Sequence, residues 1–200
     1  LKTPVAALDT CFSVLLRENL SEEERKEFQV RCRCALDGLE VLLQSLLQIS
    51  KMEAGLIQIN REKLPLMETI IRAVNRVYPN AGAKEIEFVF DYDEALENDC
   101  ILQDKKWLGE AFINVFDNAI KYSPAGSEVY VRIQKRTDFI RIEIEDNGVG
   151  IPKVEYHKIF QRFFRGSLPE VKEENGSGIG LFLSRKIIEQ HGGQSLFHQI

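Results

Sequence analysis

Asp146-Asn147-Gly148-Val149-Gly150, entered from Ile140-Arg141-Ile142-Glu143-Ile144-Glu145, is the junction whose reading decides the fold. Ile140, Ile142 and Ile144 alternate with Arg141, Glu143 and Glu145, the period of a strand with one face on a core and one in water. Such a strand, closed by one carboxylate and a glycine turn, sets a buried Asp146 at a sheet end. There it can accept a hydrogen bond from an exocyclic amine such as that of adenine. Gly148 and Gly150 let the backbone come close to a flat ring and begin a mobile loop. Asp-Asn-Gly is also an ordinary turn tripeptide, so the stretch alone leaves both readings open.

Working outward, Val129, Val131 and Ile133 alternate before an Arg136-Thr137-Asp138 turn, which makes a hairpin with the Ile140 strand. Lys105–Lys121 reads as an amphipathic helix with Leu108, Phe112, Val115, Phe116 and Ala119 inward. Ile86, Phe88 and Phe90 form a further strand, and Cys100–Leu102 a short one. Leu66–Val77 is a helix, with Tyr78-Pro79-Asn80-Ala81-Gly82 expected as a loop. A long polar stretch leads to Asn175. A glycine-rich helix start follows, then a helix through Gln190, ended by Gly192-Gly193. Strands and helices in this order predict an α/β sandwich, with helices over one face of a mixed sheet.

The N-terminal part reads differently. Val5, Leu8, Phe12 and Leu15 share one helix face, and Ser21-Glu22-Glu23-Glu24 is a capping box that opens a second helix. Ile57 and Ile59 alternate beyond it. In the second helix Phe28, Cys32, Ala35, Leu39, Leu42, Leu46 and Ile49 repeat as a heptad seam, and Leu36, Val41, Leu43 and Leu47 widen the apolar face. Two helices cannot cover that much apolar surface, so a homodimeric four-helix bundle is expected; a helical arm packed on its own second domain is the alternative. The fold class is therefore α+β, with an antiparallel helical hairpin over 1–62 and the α/β sandwich over 63–200.

Composition excludes several classes. With 26 basic against 31 acidic residues and a net charge of −5, nothing supports nucleic-acid binding or attraction to an anionic membrane. Cys11, Cys32, Cys34 and Cys100 have neither metal-site nor disulfide-framework spacing and read as reduced, buried cytosolic thiols. No apolar run approaches membrane-spanning length, and no signal peptide is visible. The chain opens on Leu1 and stops at Ile200 as a strand begins. A piece of a longer protein is the expectation, with any membrane anchorage in segments outside this chain.

Three further constellations join the Asp146 turn. Asn114, Asn118, Lys121 and Tyr122 stand at i, i+4, i+7 and i+8 of one helix and share a face. Asparagine amide oxygens suit Mg²⁺, whose shell phosphates complete, and Lys121 offers a phosphate a point charge. Gly176-Ser177-Gly178-Ile179-Gly180-Leu181 opens a helix whose bare N–H groups and positive end favour a polyphosphate; loop flexibility is the plain alternative. Ile159-Phe160-Gln161-Arg162-Phe163-Phe164-Arg165 lies in a segment between the glycine clusters that reads as a lid. Phe160 and Phe163 are expected to anchor it to the core, while Arg162 or Arg165 can reach a terminal phosphate.

Together these residues resemble the sensor histidine kinases of two-component systems, over nearly the whole chain. Asn114–Ser123 resembles that family's asparagine box, Asp146–Gly150 its first glycine box, Phe160–Arg165 its phenylalanine box and Gly176–Leu181 its second glycine box. Leu1-Lys2-Thr3-Pro4-Val5 is similar to the tail of its histidine box, whose phosphoacceptor His and Glu would then immediately precede Leu1. The resemblance implies that Asp146 selects adenine, Asn118 ligates Mg²⁺ and Asn114 supports metal or phosphates. It further implies that Lys121 and Arg165 bind phosphate, Tyr122 flanks the nucleotide, Gly178 and Gly180 admit the triphosphate, and Thr3 positions water for dephosphorylation. Gln161 departs from a common Glu, and the family's C-terminal Gly-x-Gly-Thr segment is missing.

The implied function is transfer of the γ-phosphoryl group of ATP to a hairpin His, then to an Asp of a response regulator, with phosphatase activity beside it. The implied setting is a cytoplasmic domain of a parent anchored in the bacterial inner membrane. Two rivals remain. One is another ATPase of the gyrase, chaperone or mismatch-repair type, against which Asn114 counts, since it stands where those place a carboxylate base. The other is a dimeric nucleotide-gated scaffold or phosphatase. His157, His191 and His198 lie outside the hairpin and are expected at surface or capping positions.

Overall fold

A computed structural model describes residues 2–17, 20–55, 58–93, 96, 99–174 and 176–197. The elements in chain order are α1 (Lys2–Leu15), α2 (Glu22–Glu53), β1 (Glu62–Pro65), α3 (Leu66–Ala83), β2 (Glu87–Tyr92) and β3 (Cys100–Gln103). They continue with α4 (Lys105–Tyr122), β4 (Glu128–Lys135), β5 (Ile140–Glu145), a 3-10 turn (Lys153–Glu155), α5 (Pro169–Glu173) and α6 (Gly180–Gln190). Among the described residues no helix is long and apolar enough to cross a membrane.

The mixed sheet predicted from the alternation is present. β4 lies between β2, with which it runs parallel, and β5, with which it runs antiparallel. The register sets Phe88 beside Val129 and Ile144 beside Val131, so the apolar positions of all three strands fall on one face. Helices α3 and α4 cover that face. Phe116 of α4 is wholly buried, edge-on to Phe88 at 5.5 Å and stacked with Phe112 at 6.2 Å. On the opposite face Arg132 pairs with Asp91, Glu143 and Glu145, which keeps the polar half of the alternation in water.

β1 and β3 form a separate antiparallel ribbon at the start of α3 and α4. The buried Gln103 side chain binds the ribbon to α3: its amide donates to the Leu64 and Pro65 carbonyls, and its oxygen accepts from Thr69 at 2.8 Å. One expected loop is helix. α3 runs through Pro79 to Ala83, because Val77 and Ala81, one turn apart, are both buried in the core. That burial outweighs the hydrogen bond Pro79 removes. The expected closing strand is absent over residues 194–197, and His198 lies outside the described residues, as does Ile57.

In the hairpin the capping box is formed: Ser21 N donates to Glu24 Oε2 and Glu24 N to Ser21 Oγ. The α1 face packed inward differs from the expected one. Leu8, Cys11, Val14 and Leu15 are buried or half-buried, whereas Val5 and Phe12 are exposed. All seven seam positions of α2 are buried or half-buried within this chain, and Leu42 and Ile49 join Trp107, Leu183 and Ile187 in a cluster between α2, α4 and α6. The widening residues Leu36, Val41, Leu43 and Leu47 remain exposed beside them. Of the cysteines, Cys11 and Cys32 are buried and facing one another; Cys34 and Cys100 are exposed, against the expectation, and all four are unpaired as disulfides.

Candidate functional site

Helix α4 carries most of the candidate residues, and its ends fix their direction. Asp104 caps its start, Oδ1 accepting from Lys106 N and Trp107 N, while Oδ2 accepts from Asn60 N. At its far end Lys121, Tyr122, Ser123 and Pro124 form one wall of a slot, whose other wall is Asn147, Gly148 and Val149. Gly148 N donates to Asp146 Oδ1 at 2.9 Å. A Cβ on Gly148 would stand 2.6 Å from that oxygen and 3.1 Å from the Tyr122 carbonyl oxygen, so this close approach of turn to helix requires glycine.

Asp146 is not buried, as the strand pattern suggested, but exposed at the end of β5, because the turn carries it past the sheet edge. Protein packed on one side of its carboxyl nevertheless raises its pKa by desolvation. The Gly148 N–H opposes the rise and the Glu145 charge adds to it. Asn147, Gly148 and Val149 of its turn line the slot beside it.

The phosphate-binding expectation falls on the other side of Tyr122. Lys121 Nζ stands 5.4 Å from the centre of the Tyr122 ring, and the Gly176 backbone passes over it, a Cβ there falling 3.1 Å from Nζ. Burial lowers the Lys121 pKa, against the pull of Glu174 and Asp117; burial likewise raises that of Tyr122. One and two turns back, Asn118 and Asn114 are half-buried. Asn114 faces the start of α6, where a Cβ on Gly180 would lie 3.4 Å from its Oδ1, and its Nδ2 is buried with no partner. An unpartnered buried donor beside a helix N-terminus fits an acceptor brought by a ligand.

Ser184 fixes α6 on α4, its hydroxyl 3.1 Å from the Ala111 carbonyl and 3.0 Å from that of Gly180. Ahead of α6, Ile179 is buried and its N–H donates to Ser177 Oγ. Gly178 has φ +67°, and a Cβ there would lie 2.5 Å from the Phe164 carbonyl oxygen, so the lid backbone crosses the second glycine cluster where only glycine fits. Leu181 lies in the first turn of α6, and Gly150, φ +71°, ends the first cluster.

The lid differs most from expectation. It contains a 3-10 turn and the short helix α5, and buried Glu155 holds it by accepting from Ser167 N at 3.2 Å. Phe163 is 49% exposed with φ +61°, so it is not a core anchor; the chain turns left-handed there to pass Gly178. Arg165, expected to bind phosphate, is held by backbone carbonyls in this structure. It donates to the Val171 carbonyl at 2.6 Å and to that of Glu174, closing the C-terminus of α5. Arg162 lies over the Phe182 ring at 4.8 Å. The Thr3 side chain lies outside the described residues. His191 caps: Nε2 accepts from Asp104 N, leaving Nδ1 to donate to the Ile187 carbonyl; His157 is exposed in the lid.

The slot also contains residues that sequence reading missed, namely Lys84, Glu170 and Glu174. Lys84 joins through contacts 36 to 39 residues away in sequence, which no local pattern encodes. Glu170 and Glu174 sit in a lid whose path no periodicity predicts.

Comparison with known proteins places this geometry. Residues 103–199 match the family described as "Histidine kinase-, DNA gyrase B-, and HSP90-like ATPase". The chain is 31% identical over 197 residues to the sensor protein kinase WalK of Staphylococcus aureus, covering 97% of this chain and 46% of that protein. It thus spans less than half the length of the curated relatives it matches. A solved structure of the mycobacterial sensor histidine kinase MprB is 35% identical, with a TM-score of 0.56, over 66% of this chain and 80% of that one. The histidine kinase ThkA, solved with the response regulator protein TrrA, shares the fold: TM-score 0.75 at 21% identity, over 96% of this chain and 52% of that one.

Proposed function

The chain belongs to the sensor histidine kinases, and from that premise we propose that it is the transmitter core of one, binding Mg-ATP in the slot between α4, the Asp146 turn and α5 and along α4 toward the start of α6. The observation that carries this is the convergence of Gly148 on the end of α4, of Gly176 on Lys121 and of Gly180 on Asn114. Gly148 comes too close to the end of α4 for a side chain, the Gly176 backbone passes over the Lys121 ammonium and Gly180 lies in contact with Asn114, an arrangement that would hold one flat base and a chain of phosphates along a single helix. Residues 63–200 would form the ATP-binding domain and residues 1–62 the dimerising hairpin.

The donor set fits a divalent cation held chiefly by phosphates. Asn114 and Asn118 are neutral amides, and among the described residues no three His, Cys, Asp or Glu side chains gather in one place. Asn118 would supply the amide oxygen, and Mg²⁺, when bound, would neutralise charge between the β- and γ-phosphates. Lys121 would add a point charge, Asp146 Oδ2 would accept from the adenine amine, and the α6 N-terminus would face phosphate oxygens. In transfer, the bond from the γ-phosphorus to its bridging oxygen breaks and an N–P bond to a hairpin imidazole forms. ADP leaves and the imidazole proton passes to solvent. Positioning supplies most of the rate.

From the phosphohistidine the group would pass to an Asp of a receiver domain. The ThkA structure, solved with a response regulator, supports that class of partner. Dephosphorylation of the regulator with the help of Thr3 belongs to the same proposal. Arg165 would reach phosphate only after releasing the α5 carbonyls, so lid rearrangement would accompany nucleotide binding.

Neither α1 nor α2 carries a histidine. Incubated with γ-labelled ATP, the 200-residue chain should therefore take up no acid-labile phosphate, whereas a longer form with a histidine upstream on the hairpin should. Asn118→Ala in that longer form should abolish the labelling. Labelled phosphate mapped to His157, His191 or His198 would refute the assignment.

A further inference from the structure

We propose that Lys84 is a positioning residue of this site, whose ammonium fixes the end of α4 and so sets the width of the adenine slot; the inference rests on the nucleotide reading above. The last carbonyls of a helix have no N–H partner within it and carry its negative end. At the end of α4 the side chain able to cap locally does not. Ser123 Oγ is buried and has no partner. Lys84 does so from a distance, its Nζ donating to the carbonyls of Lys121 at 2.7 Å, Ile120 at 3.1 Å and Ser123 at 3.4 Å.

Three acceptors match the three N–H groups of an ammonium. Lys84 therefore lines the slot without a donor left for a ligand, and its effect on a nucleotide passes through the turn it holds. Its own backbone is clamped on both sides. Lys84 N donates to the Ala81 carbonyl at 3.0 Å, and its carbonyl accepts from Gly126 N at 2.9 Å. The next residue, Glu85, adopts φ +55° to admit this bend.

The held turn is the wall against which the Asp146 turn rests, since Gly148 meets the Tyr122 carbonyl. Loosening residues 120–123 shifts that contact, and with it the distance from Asp146 to a base in the slot. Phosphate binding at Asn118 and the α6 N-terminus, which lie outside residues 120–123, depends on it less.

Calorimetric titration with Mg-ATP and Mg-GTP of the unaltered chain and of Lys84→Met, Lys84→Gln and Lys84→Arg tests this. Lys84→Met should weaken ATP by about tenfold, the scale of a lost charge-assisted hydrogen bond, and GTP less, so that the ratio of affinities shrinks. Lys84→Gln, which keeps one donor group, should shrink it partway, and Lys84→Arg, which keeps charge and donors, should restore it. A folded Lys84→Met with an unchanged ratio, or with equal losses for both nucleotides, would overturn the role. Should that variant not fold, an unchanged ratio in Lys84→Gln would do the same. An unaltered chain that binds neither nucleotide would overturn the reading of the site itself, and this role with it.

Discussion

Asp146→Asn should weaken ATP binding by about tenfold to a hundredfold and remove the preference for adenine over guanine, the scale expected when a buried polar partner is mismatched. Oδ1 of Asp146 already accepts from Gly148 N, so the other oxygen would be the one offered to a base. A carboxylate there accepts from the adenine amine and repels the carbonyl oxygen of guanine. An amide can turn its NH₂ outward, which welcomes guanine and refuses adenine. Desolvation by the protein packed on one side of the exposed Asp146 carboxyl raises its pKa above the ordinary aspartate value, so the proton is bound more tightly in the folded chain than in the unfolded one. The ionised form that adenine needs is then lost on acidification at a higher pH than for a solvated aspartate. ATP affinity should fall as pH drops through that raised value, and the Asn variant should show no such fall. Calorimetry with both nucleotides across pH checks both statements; unchanged ATP affinity, or unchanged discrimination, removes Asp146 from the role.

The second large effect is on assembly. Leu36, Leu43 and Leu47 leave an exposed stripe on α2, with Val41 near it and Phe12 of α1 59% exposed. Full burial of each leucine contributes about 1.5–3 kcal/mol, and a symmetric dimer would bury each of them twice. Leu43→Asp with Leu47→Asp would set four carboxylates into that seam, so the double variant should be a monomer at micromolar concentration while retaining ATP binding. Light scattering reads the outcome. A double variant that remains dimeric, or an unaltered chain that is already monomeric, contradicts the bundle. Leu42 and Ile49 are unsuitable for this test, because they pack on α4 and α6 within one chain.

The difference between those two sets of leucines shows where sequence reading stops. A heptad count identifies a seam but not its occupant. Here the counted seam meets α1 and the α4–α6 cluster, and the residues one step around the helix stay exposed. Strands β4 and β5 were legible because one face is core and the other an ion-paired surface, which makes alternation unambiguous. The Ser21–Glu24 box was legible because its bonds close within four residues. Pro79 misled because tertiary burial of Val77 and Ala81 overrides a local helix breaker. In the site, the glycine clusters and the asparagine face of α4 were visible as spacing, and the structure brings Gly148 to Tyr122, Gly176 to Lys121 and Gly180 to Asn114. The carbonyls that hold Arg165 lie at the end of a lid helix no pattern announced. Lys84 was invisible, since its acceptors are backbone carbonyls of a distant helix, and any residue type supplies those.

We infer that the slot at the end of α4 is an adenine nucleotide site served by a divalent cation. Titration of the unaltered 200-residue chain with ATP, with and without Mg²⁺, and with GTP beside it, tests this most directly. The expected result is one ATP per chain, tighter with Mg²⁺, with GTP bound more weakly. Absence of ATP binding, or equal affinity for the two nucleotides, would contradict it.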